Sequence, residues 1–235
     1  MGLFFSILFT VGITDPYSWF GSQYTDALTM CREQKTIFTN TFPKSGSDPA
    51  LVLSVAFPEM LRYTLWKDVL ETTALEVLYI DHGAGAADFS IGWFQMKPSF
   101  AEGIEQRILI NTKAMAIFSQ LVLNKDDLPA EQRRKRVARL KDMKWQAEYL
   151  SAFVWLASAK LDSASAGTGK RLQYLSALYN KGLDCSLKEI DQFLLTRTFP
   201  YGPGRENPFS YSELATFFFS HDASKIFTNT KQQTL

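Results

Sequence analysis

The residue types that build metal sites and disulfide frameworks are scarce in this chain of 235 residues. It contains two cysteines, Cys31 and Cys185, and two histidines, His82 and His221. Neither residue type shows the close spacing of a zinc site, so we expect no metal centre and no cofactor. The two cysteines either form a disulfide in an oxidising compartment or remain free thiols, and the sequence leaves both options open.

An excess of charge of one sign is also absent. The net charge is +1 at pH 7, so the whole chain has no electrostatic attraction to nucleic acid. The densest basic run, from Arg133 to Arg139, lacks interleaved aromatic residues and is typical of a solvated helix face. A nucleotide-binding loop at 167–170 is rejected, because Ala164 and Arg171 stand where a P-loop needs Gly and Ser or Thr. We therefore expect no nucleic acid among the partners.

The apolar run from Leu3 to Ile13 is too short to span a bilayer, so no stable membrane span is expected. It fits the apolar region of a secretory signal, although no Lys or Arg precedes it and no small-residue cleavage site follows. A first structural helix or strand is the alternative. We expect residues 1–18 to be a signal or apolar N-terminal segment, and the protein to be periplasmic or secreted.

Aromatic residues, by contrast, are abundant. The chain has 19 Phe and 5 Trp, and 46% of its residues are hydrophobic. Its length fits one domain that buries a sizeable core without disulfides. Core packing is the default role of the aromatic residues, and the same residues also suit a groove that stacks on sugar rings.

Helical patterns begin near residue 47. Residues 19–46 are rich in Gly, Pro, Ser and Thr with little periodicity, and are expected to form an irregular leader packed on the main domain. Ser47 or Asp48 is expected to cap a helix whose first residue is Pro49. Pro58 is expected to kink that helix or to end its regular hydrogen-bond ladder.

Apolar residues at helical spacing and capping patterns predict the other helices. These are expected near 68–80, after Pro98 with a Ser99–Glu102 capping box, after Pro129, across Trp145–Leu156, across Leu172–Leu178, and behind the capping boxes Ser186–Glu189 and Ser210–Glu213. Small residues around two glycines predict a loop at 81–90. No alternating strand pattern is present, so the fold class is mainly α, with one domain over 47–222 and a tail at 223–235.

Three segments carry candidate chemistry, and the first is Ala56-Phe57-Pro58-Glu59. A glycosidase needs a carboxylic acid in a partly apolar setting, because desolvation raises its pKa and keeps it protonated near neutral pH. Glu59 follows an apolar helix and is therefore the candidate catalytic acid. Judged on this local context alone, a surface or capping role is the more frequent one.

The second segment is the predicted turn at 89–99. Gly92 lets the backbone approach a ligand closely, and Gln95 offers a donor and an acceptor for the amide and hydroxyl groups of N-acetylated sugars. Ser90 and Phe94 are further candidates for substrate contact, although an aromatic side chain here either packs in the core or forms a sugar platform. A tight structural turn is the plainer interpretation.

The third segment is the helix end Tyr179-Asn180-Lys181-Gly182, where Gly182 is expected to stop the helix. Taken alone, it predicts a helix terminus. Together and in this order, the three segments resemble the soluble lytic transglycosylases of the lysozyme-like superfamily. That family has a catalytic Glu after an apolar helix, a G-L-M-Q-x-x-P-type turn and an A-x-Y-N-x-G-type helix end.

The matching segments here are Glu59, the run from Gly92 to Pro98 and the run from Ala177 to Gly182. The segment 209–214 is similar in place and character to the closing helix of the family. The resemblance covers roughly residues 48–220 and implies a lysozyme-like helical domain.

The resemblance also implies a reaction on bacterial peptidoglycan glycan strands, at the bond between N-acetylmuramic acid and N-acetylglucosamine. Glu59 would protonate the glycosidic oxygen and then take the proton of the muramic acid 6-hydroxyl, closing a 1,6-anhydro ring. Tyr179 would orient the N-acetyl group or Glu59. Gln95 and Asn180 would contact the glycan or the scaffold, and Gly92 would shape the groove.

This chain departs from the family pattern in several places. Met60 replaces the usual Ser or Thr after the catalytic Glu, and Trp93 and Phe94 replace Leu and Met. The gap of 36 positions from Glu59 to Gln95 is longer than in most relatives. These departures leave open a non-catalytic peptidoglycan-binding or scaffold protein.

A lysozyme-type hydrolase of the same bond is the other alternative. In such an enzyme a second acid activates water. Asp81 and Asp88 are the candidates because they flank the loop before the turn that carries Gln95. A solvated or turn-capping role is the more frequent one for each of them.

Overall fold

Helices form nearly all the regular structure of the protein. The computed structural model describes residues 15–66, 73–162, 168–200 and 208–228. The α-helices of these residues are α1 (Pro16–Phe20), α2 (Ser22–Glu33), α3 (Lys35–Thr41), α4 (Pro49–Trp66), α5 (Thr73–His82), α6 (Pro98–Leu109), α7 (Thr112–Phe118), α8 (Pro129–Lys141), α9 (Met143–Leu161), α10 (Thr168–Lys181), α11 (Leu187–Leu194), α12 (Tyr211–Phe218) and α13 (Ser224–Phe227). Within these ranges extended pairing is limited to isolated bridges. The predicted mainly α fold of one domain is confirmed.

Helix α4 is the core of the fold. Every residue from Ala50 to Leu61 is buried, because this stretch is apolar except for Ser54 and Glu59 and packs against α2, α10 and α12. Its predicted start is confirmed: Pro49 is the first helical residue, and Oδ1 of Asp48 accepts the N–H of Ala50 at 2.8 Å.

Of the two alternatives expected at Pro58, the end of the regular ladder is wrong, since α4 continues through Pro58 to Trp66, whereas a kink stays a prediction. An interior proline costs roughly 3 kcal/mol through its missing N–H and its ring. Burial of Phe57, Met60 and Leu61, each completely inaccessible to solvent, offsets that cost. Glu59 therefore lies inside a continuous helix.

Helix α9 is the second buried helix. The side chain of Asp142 accepts the N–H of Trp145 at its start. Tyr149 and Phe153, on the predicted apolar stripe, are fully buried. The long helix predicted across Trp145–Leu156 is confirmed.

The prediction of an irregular leader at 19–46 is wrong, because these residues form α2, α3 and a short 3₁₀ turn at Phe42–Ser45. In α2 the buried residues Tyr24, Ala27, Leu28 and Cys31 recur at helical spacing and form a stripe that packs on α4. The many Thr and Ser residues concealed this stripe, and tertiary packing outweighs their weak helix propensity. The expected packing of this segment on the main domain is correct.

Two of the three predicted capping boxes are present. Ser186 with Glu189 and Ser210 with Glu213 each form both reciprocal hydrogen bonds. The box predicted at Ser99 and Glu102 is wrong, because α6 already begins at Pro98 and its N-cap is Lys97.

The helix predicted near 68–80 corresponds to α5, and residues 67–72 lie outside the described residues. The signal or apolar segment predicted at 1–18 lies mostly outside them as well, and its last residues belong to α1. In the described part of the chain, no helix is both long and apolar enough to cross a membrane. Both cysteines are free thiols, Cys31 buried and Cys185 partly exposed, and burial raises the pKa of Cys31.

Candidate active site

A groove of about 1070 Å³ opens where α4, α10 and the turn before α6 come together. Five of the seven predicted site residues line it: Glu59, Ser90, Gln95, Tyr179 and Asn180. They come from three separate segments of the chain, which the packing of α4 against α10 brings to one place. The three motifs therefore form one site.

Glu59 is the buried acid of this groove. Its side chain is 7% exposed, and Nη1 of Arg62 donates a hydrogen bond to Oε2 of Glu59 at 3.0 Å. Burial raises the pKa of the Glu59 carboxyl above its usual value, since desolvation disfavours the charged form. The charge of Arg62 and hydrogen bonds from Arg62 and Asn180 act in the opposite direction without cancelling the effect of burial.

The turn before α6 closes by two backbone hydrogen bonds between Ile91 and Met96. Gln95 has a φ of 49°, in the left-handed region that non-glycine residues seldom occupy. Its Nε2 donates to the carbonyl of Gly92 at 2.7 Å, which holds the side chain against its own turn. Backbone strain of this kind is concentrated at functional sites in proteins.

Gly92 packs against the scaffold, and its predicted role in ligand approach stays a prediction. Its φ is 70°, and a Cβ there would lie 2.1 Å from Nε2 of Gln146 and 2.6 Å from the carbonyl oxygen of Leu140. Gly92 is not one of the described residues that line the groove. Glycine is required because the turn packs directly on the junction of α8 and α9.

The predicted contact of Phe94 with substrate is wrong. Its side chain is 0% exposed and stacks on Phe38, with ring centroids 5.9 Å apart. Its N–H donates to Oε1 of Gln146 at 2.9 Å, which fixes the turn to α9. Adjacent side chains of the turn point to opposite sides, so Gln95 borders the groove while Phe94 fills the core.

Tyr179 connects the turn to α10. Its hydroxyl donates to the carbonyl of Phe94 at 2.8 Å, and its ring packs edge-on against Phe100 and Phe153. Burial, together with the charge of Glu59, raises the pKa of Tyr179. The neutral phenol therefore persists beside Glu59 and fixes the wall of the groove.

The two candidate second acids differ in position. Asp88 lines the groove, but its carboxylate accepts the N–H of Ser99 at 3.0 Å and the hydroxyl of Ser99 at 2.8 Å. It therefore caps the first turn of α6 from outside. Asp81 is exposed at the end of α5, away from the residues described as lining the groove.

The sequence prediction missed the cations of the groove. Arg62, Lys97, Arg107 and Lys181 all line it. Arg62 was within reach of sequence reasoning, because a residue three positions after Glu59 lies on the same face of a helix. The others depend on tertiary packing: Arg107 pairs with Asp184 of the loop after α10.

Among its described lining residues, the groove thus combines one buried acid, polar groups on two walls and apolar surface from Met96, Phe100 and Phe193. In the described residues no group of three His, Cys, Asp or Glu side chains is placed to bind a metal ion. No protein-family model, curated protein or solved structure matches the chain. The groove itself and the order of its motifs are therefore the features that bear on function.

Proposed function

We propose that this protein is a peptidoglycan lytic transglycosylase, a glycosidic-bond-cleaving enzyme with a single acid and base. The observation that carries the proposal is the setting of Glu59, a buried carboxyl with a raised pKa on the wall of a groove of about 1070 Å³. A groove of this size belongs at the upper end of ligand sites and suits an extended substrate. The resemblance of the three motifs to the lytic transglycosylases supports the same function.

The chemistry assigns two steps to one carboxyl group. Protonated Glu59 donates its proton to the glycosidic oxygen, and the bond between N-acetylmuramic acid and N-acetylglucosamine breaks. Ionised Glu59 then accepts the proton of the muramic acid 6-hydroxyl while that oxygen bonds to the anomeric carbon. The product is a 1,6-anhydro ring, and Glu59 regains its proton. No water is consumed.

The other groove residues fit glycan binding. Gln95 and Asn180 supply amide groups for the N-acetyl and hydroxyl groups of the sugars, and Ser90 adds a hydroxyl. Phe100 and Phe193 offer apolar surface for sugar rings. Tyr179 holds the turn so that Gln95 faces the same space as Glu59.

Hydrolysis of the same bond is the second candidate, because Asp88 lines the groove together with Glu59. A hydrolase would use Asp88 as the base that activates water. This carboxylate already accepts two hydrogen bonds from Ser99, and the ammonium of Lys97 lies 3.8 Å from its Oδ2. We therefore favour the anhydro-forming reaction. A non-catalytic peptidoglycan-binding protein is the remaining alternative.

The proposed substrate lies outside the cytoplasm, so the proposal includes export to the periplasm or the medium. The segment expected to direct export includes residues 1–14, which lie outside the described residues. Mass spectrometry of the mature N-terminus, after expression with a cell-fractionation step, tests this part separately. Recovery of the protein solely from the cytoplasm would contradict it.

Digestion of purified peptidoglycan by the parent and by Glu59→Gln tests the reaction itself. Chromatography with mass spectrometry separates 1,6-anhydro ends from reducing ends. We expect anhydro ends from the parent and at least a 100-fold slower reaction from the variant, the scale of losing a general acid. The matched control is Glu131→Gln, since Glu131 pairs with Arg134 at the same spacing as Glu59 with Arg62 but on the exposed surface.

Each outcome is informative. Reducing ends would establish the hydrolase, and Asp88→Asn would then be the variant that abolishes them. Peptidoglycan binding without cleavage by the parent would establish the non-catalytic alternative. Cleavage that survives in Glu59→Gln would remove Glu59 from the catalytic role.

A further inference from the structure

Among the described residues, the cation paired with the proposed acid lies on the same helix. Arg62 follows Glu59 by three residues in α4, and its Nη1 donates to Oε2 of Glu59 at 3.0 Å. The guanidinium side chain is 28% exposed and lines the groove, whereas the carboxyl side chain is 7% exposed. The pair therefore forms the boundary between the core and the groove.

We propose that Arg62 is a positioning residue that holds Oε2 of Glu59, directs the proton to Oε1 and stabilises the carboxylate formed when that proton is given away. The proposal rests on the proposed function. A cation beside Oε2 disfavours a proton on that oxygen, so the neutral acid carries its proton on the other one. Arg62 thereby selects which oxygen of Glu59 acts as the donor.

The same contact matters after the proton has left. Burial without a counter-charge would hold the proton on Glu59 and make it a poor donor to the glycosidic oxygen, so the carboxylate that must then accept the proton of the 6-hydroxyl would seldom form. One carboxyl that acts first as acid and then as base works best when neither form dominates. Arg62 opposes the effect of burial and keeps the carboxylate accessible.

Other groups near Glu59 contribute less charge. Asn180 and Tyr179 face Glu59 from α10. Lys97, the residue before α6, influences Glu59 through its charge. Asn180 and the phenol of Tyr179 are neutral, and the influence of Lys97 on the pKa of Glu59 is weaker than that of Arg62. Arg62 is therefore the cation whose removal should change Glu59 most.

The test titrates Glu59 directly in the full chain. The side-chain carboxyl carbon of ¹³C-labelled Glu59, assigned by its loss in Glu59→Gln, is followed by NMR against pH. We expect Arg62→Gln and Arg62→Met to move the midpoint to higher pH, and Arg62→Lys to restore it in part. Lys97→Gln should give a smaller upward shift. The surface control Arg134→Gln should give none.

Kinetics on peptidoglycan supply the second readout. We expect Arg62→Met to lower kcat about tenfold, the loss of one charge-assisted hydrogen bond, with little change in KM. The alkaline limb of its pH profile should move upward with the NMR midpoint. A merely structural role would lower the rate without moving that limb.

Different results would contradict the proposed function and the proposed role of Arg62. A parent that does not cut peptidoglycan contradicts the proposed function, and the NMR titration still decides whether Arg62 controls Glu59. A midpoint in Arg62→Gln and Arg62→Met that equals that of Arg134→Gln overturns the role of Arg62. Circular dichroism checks that every variant is folded.

Discussion

Glu59 and Glu105 are both buried and paired with an arginine, yet the two carboxyl groups differ in how their arginine contacts them. Arg136 contacts both oxygens of Glu105, with Nε to Oε1 at 3.0 Å and Nη2 to Oε2 at 2.6 Å. The hydroxyl of Tyr149 also donates to Oε1 of Glu105. Glu59 has one contact from Arg62, at a single oxygen, and support from Asn180.

The difference separates a structural site from a reactive one. The cluster around Glu105 joins α6, α8 and α9, and the hydroxyl of Tyr79 on α5 accepts a hydrogen bond from Nη1 of Arg136. A buried charge network with all its members paired fixes the positions of the helices. Burial keeps the pKa of Glu59 raised because Arg62 and Asn180 do not cancel its effect, and Glu59 borders a groove that a substrate can enter.

The largest effect on stability is expected from breaking the saturated cluster. Arg136→Met leaves Glu105 as a buried carboxylate without its main partner, so unfolding should become easier by about 3 to 5 kcal/mol. Urea denaturation followed by circular dichroism measures this. The double variant Arg136→Met with Glu105→Leu should recover most of the loss, since an apolar pair needs no counter-charge. Equal stability of the single variant and the parent would show that the cluster contributes little.

A smaller effect is expected within the wall of the groove, where Gly92 and Gln95 share one turn and both have positive φ. Gly92→Ala places a Cβ against Gln146 and the carbonyl of Leu140, so stability should fall by about 2 to 3 kcal/mol. Thermal unfolding measures the change. An unchanged melting temperature would mean that the turn is free to move away from α8 and α9, and that Gly92 is not a packing residue.

The pH dependence of stability in Glu59→Gln tests whether the pKa of Glu59 is raised in the folded protein. The folded-state pKa of Glu59 lies above the value of about 4.5 of an unperturbed Glu, so its proton stabilises the fold. That contribution is fully present below the unfolded-state pKa and is lost as the pH rises through the folded-state pKa. The neutral amide does not titrate, so the parent should lose stability relative to the variant across this window.

Urea unfolding of both proteins from about pH 4 to about pH 8 checks this sign. The difference in free energy of unfolding between the parent and Glu59→Gln should change with rising pH in favour of the variant. A difference that is constant with pH would contradict the raised pKa. If the parent gains stability relative to the variant as the pH rises, the folded-state pKa of Glu59 lies below its unfolded-state value.

The smallest change in stability is expected for Gln95→Gly. Glycine relieves the left-handed backbone by about 1 to 2 kcal/mol, while loss of the hydrogen bond to Gly92 costs about 1 kcal/mol. Stability should therefore stay within about 1 kcal/mol of the parent, although peptidoglycan cleavage falls because the amide is gone. A variant that cleaves normally would remove Gln95 from the proposed site.

Local rules were sufficient to predict three of the helix starts. Pro49 behind Asp48, and the capping boxes at Ser186 and Ser210, depend on a few neighbouring residues, and all three are present. The order of the motifs was sufficient to predict that Glu59 and Tyr179 share a groove.

Other features depend on contacts that the sequence does not display. The helices of residues 19–46 are stabilised by the packing of α2 on α4 and of α3 mainly on α9, which overrides the weak propensity of their Thr and Ser residues. The contact predicted for Phe94 was mistaken, and the packing that requires glycine at position 92 was not predicted, because the motif does not reveal which side of the turn faces α9. Pro58 did not end its helix because burial on all sides of α4 outweighs one lost hydrogen bond.

The most direct measurement compares Glu59→Gln with Glu105→Gln in peptidoglycan cleavage per folded molecule. Both variants replace a buried carboxyl by an amide, so the comparison tests position rather than chemistry. We expect Glu59→Gln to lose at least 100-fold in rate while remaining folded. Glu105→Gln should be less stable but should cleave at the parent rate at temperatures where it is folded. Cleavage that persists in Glu59→Gln, or that fails equally in folded Glu105→Gln, would contradict the assignment of Glu59 as the reactive acid.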